Sequence, residues 1–105
     1  MGVDYRAEFG IGYQVEATDD LRDLDVFDIE GLYEYLDNEC GSGFKALISG
    51  NYYSGKFNGA FMVLASPFKS GIDLTSSKWI LDEELIRLKV RPVGDFGVVG
   101  GLLVW

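Results

Sequence analysis

The chain contains no histidine and one cysteine, Cys40. The commonest general base and metal ligand is therefore missing. No Ser-His or Cys-His pair can form, and a zinc site would lack most of its thiol and imidazole ligands. A single cysteine also excludes an intrachain disulfide, which fits a reducing compartment. Long apolar runs are missing too. The longest charge-free one, Phe96 to Trp105, has ten residues, and a membrane-spanning helix needs about 20. The opening MGVDYRAEFG shows no basic stretch leading into an apolar one. Arg6 stands where a myristoylation pattern wants Ser or Thr. The expectation is a cytoplasmic protein with no membrane segment.

Bases are scarce, nine Lys and Arg against seventeen Asp and Glu, for a net charge of −8. The imbalance is local. Glu16 to Glu39 holds ten acids (Glu16, Asp19, Asp20, Asp23, Asp25, Asp28, Glu30, Glu34, Asp37, Glu39) and one base, Arg22. Residues 40–105 hold five acids and seven bases. A surface this acidic repels phosphates, so direct nucleic-acid binding is not expected. Its ordinary use is solubility; its specific use is to meet a basic partner.

What the chain does have is a core. At 105 residues, 48% hydrophobic and 14% aromatic, it reads as one domain over residues 1–105. Val3, Tyr5, Ala7, Phe9, Ile11, Tyr13 and Val15 alternate with polar residues or glycine, the period of a strand with one buried face. Gly10 and Gly12 mark a bulge or a close backbone approach. Residues 17–27 read as an acidic loop and 28–39 as a helix, with Ile29, Leu32, Tyr33 and Leu36 on one side. Asp25 or Asp28 suits its N-cap and Gly41 its C-terminal turn.

Phe44 to Tyr53 and Ala60 to Ser66 read as strands joined by the turn-rich residues 54–59. A second helix is expected within Ser76 to Leu88, with Leu81, Leu85 and Leu88 inward and Asp82, Glu83 and Glu84 off that face. Lys78 to Leu81 as a short strand is the alternative. Pro92 limits the helix, and Phe96 to Trp105 reads as the last strand. The order β-α-β-β-α-β points to an α+β fold, the ferredoxin-like sandwich, with a four-stranded antiparallel sheet and both helices on one face. That fold leaves the last strand at a sheet edge. Its uncharged sequence then calls for cover, by a partner or by a second copy in a homodimer.

No motif for chemistry survives inspection. Asp23 to Asp28 fails the EF-hand pattern, with Phe27 where an oxygen ligand is needed and Asp28 where glycine turns the chain. Gly41-Ser42-Gly43 follows a helix and precedes a strand, the reverse of a phosphate loop. Tyr52 and Tyr53 lack the basic company of an RNA-stacking platform. Cys40, beside Glu39, reads as structural. Seventeen acids make close carboxylate pairs a matter of chance, so no enzyme, metal or cofactor is expected.

The acidic helix carries more. Glu30, Glu34 and Asp37 fall at i, i+4 and i+7 and form one stripe. With Asp19, Asp20, Asp23 and Asp25 they imitate a row of phosphates suited to a basic groove. The opening MGVDYRAEFGIGYQV and the closing GVVGGLLVW, with the length and acidity, resemble small accessory proteins of bacteriophages. The resemblance implies an inhibitor of a host defence complex that handles nucleic acid, of the anti-CRISPR or anti-restriction type, acting in the host cytoplasm. The alternatives are a small-ligand module, for a nucleotide held by Arg6 on the open sheet face, and a structural or assembly subunit.

Overall fold

In a computed structural model of the chain, residues 5–22, 28–51, 54–65 and 74–104 are described. They form an α+β fold in the order β1 (Tyr5–Ala17), α1 (Asp19–Arg22), α2 (Ile29–Glu39), β2 (Phe44–Asn51), β3 (Lys56–Leu64), α3 (Leu74–Arg87) and β4 (Val90–Val104).

Alternation builds β1, and its inward residues Tyr13 and Val15 are buried. The two main helices then settle on the same sheet face. Leu32 and Leu36 of α2 and Leu81 and Leu85 of α3 share one cluster with Tyr13, Val15, Ala46, Ala60, Met62 and Leu64. Burying each such side chain is worth about 1.5–3 kcal/mol. A smaller cluster, Leu47, Phe61 and Val63 with Val99, lies on the opposite face.

The sheet is mixed and closes on itself, rather than lying open and wholly antiparallel as expected. β1 runs antiparallel to β4 and β3, and β2 antiparallel to β3. β2 also meets β4 in parallel at Gly50–Leu103 and Asn51–Val104, in the order β1-β3-β2-β4. Curling of this kind needs backbones that pass without side chains between them. Gly12 is one such point: a Cβ there would strike the Met62 carbonyl oxygen. Gly100 is another, at φ +132° with its missing Cβ facing the Glu8 carbonyl, a backbone open to glycine. A bulge between Gly12 and Gln14 against β4 adds bend.

Lys78 to Leu81 is helical, within α3, so the expected helix stands and the short-strand alternative falls. Three further expectations are corrected. β3 begins at Lys56 rather than Ala60, so the turn is shorter than residues 54–59. The loop at 17–27 includes the four-residue helix α1. β4 begins at Val90 rather than Phe96 and carries Pro92, which pairs in register with Val15. β2 reaches β4 only at residues 103 and 104, so among the described residues Pro92 sits where one side of the strand has no ladder, the setting in which a sheet tolerates proline. β1 accompanies β4 along one side from Val90 to Val104, and among the described residues its other side meets a strand only at residues 103 and 104, so the expected sheet edge is closed only at its end. None of the described helices is long and apolar enough to cross a membrane.

Candidate functional site: the acidic helix face

α2 is a well-specified helix. The Asp28 carboxylate accepts a hydrogen bond from the Gly31 N–H at 2.6 Å, the N-cap arrangement. At the other end the Cys40 N–H donates to the Leu36 carbonyl at 2.9 Å. Anchoring Leu32 and Leu36 inward turns Glu34 and Asp37 out to solvent, while Glu30 is half-buried. The stripe of Glu30, Glu34 and Asp37 therefore stands on one helix, one turn apart at each step. Asp19 and Asp20 are exposed on α1, a separate element at the end of β1. Asp23 and Asp25 lie outside the described residues, as does most of the Asp23 to Asp28 stretch.

Four of the bases are engaged elsewhere. Arg6 pairs with Glu8 at 3.2 Å, Lys78 with Asp82 at 3.0 Å, Arg87 with Glu84 at 2.7 Å, and Arg91 with Glu16. Among the described residues none of these pairs reaches Glu30, Glu34 or Asp37. Among the described residues, then, no ion pair offsets the field of the stripe.

Sequence reasoning missed one carboxylate. Glu84 is buried, although the spacing of Leu81, Leu85 and Leu88 puts it off the apolar face. It accepts from Arg87 Nε at 2.7 Å, from Arg87 Nη2 at 2.9 Å and from the Gly41 N–H at 2.7 Å. Arg87 also donates to the Glu39 carbonyl at 2.8 Å. The Arg87 hydrogen bonds hold the Glu84 pKa below its ordinary value, against a smaller opposing effect of burial. Its position three residues after Leu81 was the available signal, because i and i+3 share a side of a helix.

Two other groups bear on chemistry. The Tyr13 hydroxyl meets Lys78 and Asp82, with Lys78 Nζ 5.8 Å from the ring centre. Burial and the Asp82 contact raise the Tyr13 pKa, and hydrogen bonding raises that of Lys78. Both shifts run opposite to those of an activated base. Burial, with Asp37 and Glu84 nearby, raises the Cys40 thiol pKa, so the thiolate nucleophile is disfavoured. Among the described residues no three carboxylate or thiol side chains converge to hold an ion.

A cleft of about 420 Å³ lies beside the first half of β1, with Leu47 and Val63 in its walls. Glu8 and Lys45 are its charged lining residues. No family model, curated protein or solved structure matches the chain.

Proposed function

We propose that this is a non-enzymatic binding protein that seats its acidic face in the basic groove where a partner protein holds nucleic acid. Glu30, Glu34 and Asp37 form the centre of that face, with Asp19, Asp20, Asp23 and Asp25 extending it. Such a protein would inhibit its partner by occupancy. In a phage setting the partner is a host defence complex in the cytoplasm. We read the fold that presents the helix as a split βαβ sandwich whose sheet has curled shut.

One observation carries this reading. The four ion pairs among the described residues use Glu8, Glu16, Asp82 and Glu84, and leave the α2 stripe without a cation. Uncompensated acids one turn apart repel each other by a few tenths of a kcal/mol per pair. A basic partner would turn that repulsion into affinity, with fast and salt-sensitive association.

The test is capture of a partner from host lysate on the immobilised protein, compared with a Glu30→Lys, Glu34→Lys, Asp37→Lys variant. The variant should stay folded by circular dichroism and lose at least about tenfold in affinity, or about 1.4 kcal/mol. Competing nucleic acid should displace the native protein. Equal capture by the variant, or simultaneous binding of protein and nucleic acid without loss of affinity, rejects the proposal.

The cleft beside β1 favours the small-ligand alternative. Its walls are apolar apart from Glu8 and Lys45, a poor match for the phosphates of a nucleotide, which need several donors.

A further inference from the structure

Helix α3 turns Leu81 and Leu85 into the core. Its far side carries Trp79, Glu83 and Ile86, at i, i+4 and i+7, with about one turn between each and the next. Trp79 is 64% and Ile86 76% exposed, and Ile80, at 52%, flanks the row. Glu83 is exposed as well. Apolar side chains grouped on one outer face, rather than scattered, mark a surface that meets something. Tryptophan is also among the side chains most enriched at the energetic centre of protein interfaces.

The charges say what fits there. Lys78 pairs with Asp82 and Arg87 with Glu84, so these four are engaged within the helix. Glu83 has no ion pair among the described residues and stands between two large apolar neighbours. A carboxylate one turn from an indole ring offers a guanidinium an ion pair and a π face together. A second copy cannot supply that cation. Two-fold antiparallel contact centred on the row brings Asp82 and Glu83 of both chains together, acid against acid. The net charge of −8 also repels a copy and draws a basic partner.

We propose that the outer face of α3 docks an amphipathic helix of a partner protein, one with an arginine in the middle of its apolar side. Trp79 and Ile86 pack against apolar residues on either side of that arginine. The guanidinium lies over the Trp79 ring and pairs with Glu83, so Glu83 selects the partner by charge while Trp79 and Ile86 hold it by burial. The surface lies on α3 and uses none of the α2 acids, so it stands or falls independently of the acidic-face proposal.

The test uses a synthetic amphipathic peptide of leucine and arginine against a matched peptide of leucine and glutamate, with binding read by calorimetry. The arginine peptide should bind the native chain with a Kd below about 100 µM, and more tightly than the glutamate peptide. Trp79→Ala and Glu83→Lys should each weaken the arginine peptide at least about tenfold, or about 1.4 kcal/mol. Glu83→Lys should also lose the preference for arginine over glutamate, which loss of packing alone does not explain. The Glu30→Lys, Glu34→Lys, Asp37→Lys variant should lose less affinity than either α3 variant. Circular dichroism checks folding, and should an α3 variant unfold, Ile86→Ser takes the place of Trp79→Ala and Glu83→Gln that of Glu83→Lys. A native chain that does not bind the arginine peptide overturns the proposal. So do folded α3 variants that bind it undiminished, or a loss confined to the α2 variant, which would put the peptide on the acidic face. A native mass that doubles in ultracentrifugation and reverts in Trp79→Ala would give the surface to a second copy, and overturn it too.

Discussion

The helices α2 and α3 pack on one sheet face and use their acids in contrasting ways. On α3, Asp82 meets Lys78 and Glu84 meets Arg87 and the Gly41 N–H. Its outward surface carries large apolar side chains among polar ones, with Trp79 64% and Ile86 76% exposed. On α2, Asp28 caps the helix, and Glu34 and Asp37 face solvent with no ion pair among the described residues. Acid count alone therefore says little. α3 spends Asp82 and Glu84 on contacts within the fold and leaves Glu83 exposed, while α2 presents Glu34 and Asp37 to the outside. The contrast predicts opposite responses to the same kind of substitution.

The largest effect belongs to Glu84. Glu84→Gln leaves the side chain's shape but removes the charge that takes two Arg87 N–H bonds and one from Gly41. Hydrogen bonds to charged groups are worth about 1.5–3 kcal/mol each, and a buried group left unsatisfied costs on the same scale. We expect a loss of about 2–3 kcal/mol in urea unfolding, since the Gln oxygen retains part of the bonding. The pH dependence has a definite sign. The folded-state pKa of Glu84 is lowered, so its contribution is complete above the unfolded value near 4.3. It fades as pH falls through the folded value. The two proteins should differ most near neutrality and converge in acid. A gap that is constant with pH would remove the charge from the explanation.

Much of this was legible and some was not, for identifiable reasons. The alternation from Tyr5 to Val15 gave β1, although only its second half is buried, with Ala7 and Phe9 exposed, and the spacing of Ile29, Leu32, Tyr33 and Leu36 gave α2, because a face turned to the core leaves a clean period. The stripe of Glu30, Glu34 and Asp37 followed from the same period. Glu84 was hidden because a charge beside Leu85 reads as solvent-facing until a partner such as Arg87 is placed over it. The early start of β4 was hidden by Pro92, a helix stop that an open strand side also tolerates. Closure of the sheet was the least accessible. It depends on β1 passing close to β3 at Gly12 and on the left-handed Gly100, and glycine marks such freedom in a sequence without saying how it is used.

A smaller effect is expected at the start of α2. Asp28→Ala removes the acceptor for the Gly31 N–H and should cost about 1 kcal/mol, as N-cap losses generally do. Asp28→Asn should recover most of it, because an amide oxygen accepts the same bond. If Asn and Ala were equally damaging, the capping geometry would not be what makes this residue matter. Asp28 is the one acid at the head of α2 whose structural use is plain, which sets a scale for its neighbours.

The smallest effect, and the one that most sharpens the contrast, concerns the stripe itself. Glu30→Gln, Glu34→Gln and Asp37→Asn together remove three charges while keeping side-chain size and helix-forming character nearly constant. Like charges at i, i+4 cost a few tenths of a kcal/mol. An acid near a helix N-terminus returns a similar amount through the dipole, which applies to Glu30 in the first turn but not to Asp37 near the other end. The net change should be a gain of about 0.2–0.5 kcal/mol at low salt, shrinking as added salt screens the repulsion within about 10 Å at 0.1 M. The neutral variant should accordingly show a flatter dependence of melting temperature on salt than the native protein. A loss of more than about 1 kcal/mol would mean that these carboxylates have partners within the fold, as Glu84 does. The distinction between α2 and α3 would then disappear. A small gain means that the native chain keeps three charges its own folding does not need, and their reason must lie in what α2 meets.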